Sequence, residues 1–134
     1  MTSFQDSSSK EDIEVIKKVY SGINRNDVDL FLSLMDADVV RTEFEEGTYR
    51  GHAEMRHNFI SGRSTWAEGS CEPVEFLSKG NKVVAVVHVK VRLKDSTEWI
   101  DARIADGFSL KEGRVTEFHS FASKEKAFAW AGIT

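Results

Sequence analysis

Apolar residues recur every three or four positions in the first part of the chain and at alternate positions in the rest, the periods of helix and strand. Met1 to Ser8 is polar and reads as a flexible N-terminus, with one domain expected over residues 9–134. Ser9 and Asp12 form a capping-box-like S-x-x-D, and Ile13, Ile16, Tyr20 and Ile23 follow at helical spacing. Asn26 is the expected cap of a second helix, with Asp27 and Asp29 in its first turn and Leu30, Phe31, Leu34 and Met35 as its apolar positions. A strand is predicted from Val39 to Phe44. Gly47 and Gly51 bracket a loop, and a third helix is predicted from His52 to Ile60, closed by Gly62.

The second half reads as sheet. A short strand is expected over Val74 to Leu77, then strands over Lys82 to Leu93, Glu98 to Leu110 and Arg114 to Phe121. Tight turns at Lys79-Gly80-Asn81, Lys94 to Thr97 and Lys111-Glu112-Gly113 imply an antiparallel meander. Ser123 caps a last short helix, Lys124 to Ala131. Strand periodicity puts Val83, Ala85, Val87, Val89, Val91 and Leu93 on one face, and Ile100, Ala102, Ile104, Asp106, Phe108 and Leu110 on one face of the next strand. Phe118 shares a face with Ser120, and Val39 with Arg41 and Glu43. Asp106 is a carboxylate inside a hydrophobic row. Burial raises a carboxyl pKa, so Asp106 is either satisfied by local donors or held as a neutral acid.

Charge and cysteine content narrow the functional classes. A net charge of −4, with no basic cluster carrying interleaved aromatics, argues against a nucleic-acid binder. Cys71 is the only cysteine, so no internal disulfide is possible, and it reads as packing rather than as a nucleophile. No apolar run approaches the ~20 residues of a membrane span, and a cytoplasmic location is expected. His52, His57, His88 and His119 are scattered without ligand spacing, so no metal site is expected.

Three stretches carry a resemblance. Asn26-Asp27-Val28-Asp29-Leu30-Phe31 leads into Met35-Asp36-Ala37-Asp38-Val39; Tyr49-Arg50-Gly51-His52-Ala53-Glu54-Met55 opens the third helix; Asp106 to Leu110 precedes Gly113-Arg114-Val115. In this order the chain resembles the NTF2-like superfamily, in its SnoaL-like polyketide cyclase and ketosteroid isomerase branch. The resemblance implies an α+β cone, with N-terminal helices packed on a strongly curved mixed or antiparallel sheet around a pocket. It also implies a general base late in the first strand, at Glu43, and a protonated acid at Asp106. A helix tyrosine is implied at Val19, next to Tyr20, and Tyr20 is the candidate.

The expected pocket lies between the third helix and the concave sheet, walled by Arg41, Met55, Asn58, Phe59, Val89, Ile104, Phe108, Phe118 and Ser120, with Phe31 adding to its aromatic lining. It would hold a small, largely apolar molecule. Two uses stay open: a cofactor-independent isomerase or cyclase acting by proton abstraction next to a carbonyl, or a non-catalytic binding or dimerisation module. Trp99, His88, His119 and Phe121 on the convex face point to a homodimer.

Overall fold

A computed structural model describes residues 7–44 and 46–134. Its elements in chain order are α1 (Ser7–Asn24), α2 (Val28–Ser33), β1 (Met35–Glu43), β2 (Gly47–Arg50), α3 (Gly51–Arg63), β3 (Trp66–Lys79), β4 (Lys82–Leu93), β5 (Trp99–Lys111), β6 (Arg114–Phe121) and α4 (Lys124–Ala131). The strands form one six-stranded sheet in the order β2-β1-β6-β5-β4-β3. Only the β1–β6 pair is parallel. The chain thus leaves through β1, wraps, and returns beside it through β6.

Local chemistry sets the helix ends. Asn26 takes φ 56°, a left-handed conformation that Asn tolerates, and makes the turn. Asp27, rather than Asn26, is the cap: its side chain accepts from the Leu30 amide at 3.0 Å. Helix α1 begins at Ser7, so Ser9 lies inside the helix, buried, instead of capping it. Of the expected loose N-terminus, Ser7 and Ser8 are helical, and Met1 to Asp6 lie outside the described residues.

The strands differ from expectation mainly at the sheet edges. β1 starts at Met35, which pairs with Val115, and Gly47–Arg50 is an edge strand rather than a loop. The strand expected over Val74 to Leu77 runs from Trp66 to Lys79. Its pairing with β4 slips at Trp66/Glu68 and at Pro73/Glu75, which leaves Ala67 and Val74 unpaired. Such bulges bend a strand, and the bend curls this end of the sheet. Gly69 is required there, since it takes φ +127° and a Cβ would run into the Lys90 carbonyl.

Two hydrophobic layers result. On the concave face Val83, Ala85, Val87, Phe108 and Phe118 pack against Ile16, Val19, Phe31, Met55 and Phe59 from the helices. On the convex face Val84 and Ala105 pack against Ala127 and Ala131 of α4, with Phe121 and Trp130 alongside. His119 and Phe121, expected on an open outer face, lie under α4 beside the Trp130 ring at 5.1 Å and 6.0 Å. Trp99 and His88 remain on the uncovered part.

Candidate functional site

Two inward-facing rungs of the sheet build the polar end of a cavity. In the first, Glu43 pairs with Ser120, and Ser120 pairs with Asp106, so one row crosses β1, β6 and β5. In the second, Arg41 pairs with Phe118, and Phe118 with Phe108. At ~4.8 Å per strand, the Glu43 and Asp106 backbones stand about 10 Å apart with Ser120 between them.

Asp106 is 3% exposed and accepts two short hydrogen bonds, from Tyr20 Oη to Oδ2 at 2.5 Å and from Ser120 Oγ to Oδ1 at 2.6 Å. Burial pushes its pKa up, against the pull of Arg41 and of the two hydroxyl donors. Burial, then the adjacent Asp106, pushes the Tyr20 phenol well above its ordinary value. Arg41 is held by backbone carbonyls, Thr42 at 3.0 Å and Phe118 at 3.4 Å, and its guanidinium stacks 4.0 Å from the Phe118 ring. Its own pKa is lowered by burial, with Asp106 and Glu43 opposing. Glu43 is engaged at both oxygens: Asn58 Nδ2 donates to Oε1 at 2.8 Å, and Arg41 Nη2 lies 3.6 Å from Oε2. One buried cation thus faces two carboxylates, and a proton on Asp106 brings the cluster to neutrality.

The cavity measures about 380 Å³. Its wall contains Tyr20, Arg41, Glu43, Asn58, Phe59, Val89, Ile104, Asp106, Phe118 and Ser120, and also Phe31. Met55 and Phe108, expected on the wall, lie behind it: both are fully buried in the core, where Phe108 stacks against Phe118 and Tyr20. Ile23, Phe44, Gly62, Arg63, Trp66, Cys71, Val87, Ile100 and Ala102 complete the lining. Asn58, Phe59, Gly62 and Arg63 follow one helical face, so the period that marks Asn58 and Phe59 could have reached Arg63.

Of the two neighbouring helix positions, Tyr20 is the one whose side chain reaches the cavity and Asp106. Val19, which the resemblance indicated, turns into the core with 0% exposure, as a rotation of ~100° per helical residue requires. The thiol of Cys71 is pushed up to about 12, chiefly by burial, and its backbone is clamped by the Asn24 side chain at 2.9 Å and 2.8 Å. Among the described residues no group of three or more His, Cys, Asp or Glu could hold a metal ion, and no helix is long and apolar enough to cross a membrane.

The SnoaL-like domain family matches residues 16–118, which spans every element from α1 to β6. The chain belongs to this SnoaL-like family. No curated protein matches it. Among solved structures, this SnoaL-like chain is similar to a Jannaschia sp. CCS1 protein provisionally named a SnoaL-like polyketide cyclase, with TM-score 0.82, 11% identity and 99% of each chain covered. It is also similar to TerC, co-crystallised with polyporic acid, with TM-score 0.76, 23% identity, and 90% of this chain and 97% of that one covered. The epoxide hydrolase/cyclase-like enzyme SalBIII, of pyran ring formation in salinomycin, gives TM-score 0.76 at 17% identity over 87% of this chain and 93% of that one. These likenesses establish the fold, the NTF2-like α+β cone with an unclosed sheet.

Proposed function

We propose that this SnoaL-like protein is a cofactor-independent isomerase or cyclase acting on a small, largely apolar molecule that bears a carbonyl group. The observation that carries the reading is the row Glu43–Ser120–Asp106, which sets an accessible carboxylate and a buried, hydroxyl-bound carboxyl on one cavity wall. In this reading Glu43 takes a proton from the carbon next to the carbonyl. A protonated Asp106 donates to Tyr20 or Ser120 and frees that hydroxyl to donate to the oxygen that becomes the enolate. The proton then returns at another carbon, which isomerises the substrate. Alternatively the enolate carbon attacks a second carbonyl of the same molecule, a carbon–carbon bond closes the ring, and the acid supplies the alkoxide proton. Apolar walls from Phe31, Phe59 and Phe118 favour such a substrate over a sugar or a nucleotide.

A second reading, a binding module without chemistry, is favoured by the engagement of both Glu43 oxygens, which competes with proton abstraction. Deuterium uptake separates the two. A panel of apolar ketones that raise the melting temperature would be incubated with protein in D2O and analysed by mass spectrometry. Exchange next to the carbonyl that falls about 100-fold or more in Glu43→Gln is expected for the enzyme. Ketones that bind yet exchange no faster with wild type than with Glu43→Gln would leave the binding module.

A further inference from the structure

Arg63 is a second cation in the cavity wall, and the proposed reaction does not use it. It ends α3 and is half-buried. Its Nε donates to the Ile23 carbonyl at 2.8 Å and its Nη2 to the Asn24 carbonyl at 3.1 Å, both at the C-terminal end of α1. Its guanidinium lies 4.4 Å from the centre of the Trp66 ring, which also lines the cavity. The group is therefore fixed in plane and position before any ligand arrives. Nη1 has no protein acceptor among the described residues.

The charges of the wall do not cancel at this point. Its carboxylates are Glu43 and Asp106, and both lie in the row served by Arg41. No ion pair joins Arg63 to a carboxylate among the described residues. Gly62, which precedes Arg63 on the same wall, is exposed, and Arg63 and Trp66 are only half-buried, whereas Asp106 and Ser120 are buried. Arg63 therefore stands at a more exposed part of the wall than the buried Asp106 and Ser120. A pre-fixed, aromatic-backed guanidinium with free donors recognises planar oxyanions.

We infer that Arg63, backed by Trp66, is an anion-recognising rim, and that the cavity takes an apolar body with an acidic group, a carboxylate or sulfonate, at its outer end. This rests on the reading of the cavity as a ligand site, but not on the reaction. The alternative role of Arg63, holding the end of α1, predicts loss of stability without loss of selectivity.

Two fluorescent probes with the same aromatic body test the inference: 8-anilinonaphthalene-1-sulfonate, an anion, and N-phenyl-1-naphthylamine, which lacks the sulfonate. Wild type should bind the sulfonate at least about tenfold more tightly, Arg63→Gln should lose that preference while keeping the neutral probe, and Arg63→Lys should retain part of it. A preference that survives in a folded Arg63→Gln, or equal affinities in wild type, overturns the rim alone. Failure of wild type to bind either probe overturns the cavity reading and the rim together. Should Arg63→Gln unfold, the wild-type and Arg63→Lys ratios decide, with equal affinities in both overturning the rim.

Discussion

Tyr20 Oη and Asp106 Oδ2 lie 2.5 Å apart, which ties the end of α1 to the middle of β5 across 86 positions of sequence. The bond is buried, so losing one partner leaves the other unsatisfied. Tyr20→Phe keeps the ring edge-on to Phe108 but removes the hydroxyl. Urea unfolding should show a loss of about 1–3 kcal/mol with an unchanged slope.

The state of Asp106 is readable from pH dependence. Burial raises its folded pKa above its unfolded one, so above the unfolded value the native state holds a proton that the unfolded chain has released. Stability from this group is then fully present at low pH and is lost as pH rises through the folded pKa. Asp106→Asn should remove that decline, with melts at pH 7 equal to or above wild type and a gap that narrows toward pH 4. A loss of about 1–3 kcal/mol at pH 7 would instead mark an ionised acceptor.

Cys71 should be inert in the native protein. With its thiol pushed up to about 12, almost no thiolate exists at pH 8, so iodoacetamide labelling followed by mass spectrometry should be slow. Labelling in denaturant should be fast.

Gly107 sits directly behind the site, on the opposite face of β5 from Asp106. A Cβ there would meet the Trp130 ring at 2.6 Å. Gly107→Ala should cost about 1–3 kcal/mol by overpacking and shift the tryptophan emission. The cost should shrink in a Trp130→Ala background, because the clash has then gone.

We propose a homodimer through the part of the convex face that α4 leaves open, around Trp99, which is 45% exposed, and His88. Polar partners are already matched there, with His88 2.7 Å from Asp101 and Arg92 3.0 Å from Glu68, which suits pairing of the face with itself. Sedimentation at micromolar concentration should give a dimer, and Trp99→Glu a monomer. A wild-type monomer would contradict it.

The central strands were legible because each has one face in the core, and the alternation that puts Asp106 among Ile104 and Phe108 survives in the fold. The edge strands were not. β3 has one unpaired side and carries Glu68, Glu72 and Pro73, residues that edges tolerate and that hide the period. The two bulges break the alternation further. The Glu43–Ser120–Asp106 row was only half visible: each residue was assigned to its face, but the parallel β1–β6 register that lines them up is long-range. Arg63 and Trp66 were missed because a charged helix end followed by a tryptophan looks like solvated surface, and their stacking is visible only in three dimensions.

The parallel pairing of β1 with β6 also governs the order of assembly. β3, β4, β5 and β6 pair with sequence neighbours and can zip as they emerge from the ribosome. Glu43 has no such neighbour on that side. It waits for Ser120, and Tyr20 waits for Asp106, so contacts of high sequence separation close the cone. A chain halted before β6 holds Arg41 and Glu43 on an unzipped edge, with their charges in water and no cavity around them. The row Glu43–Ser120–Asp106, and the cavity it walls, exist only once the last strand has docked.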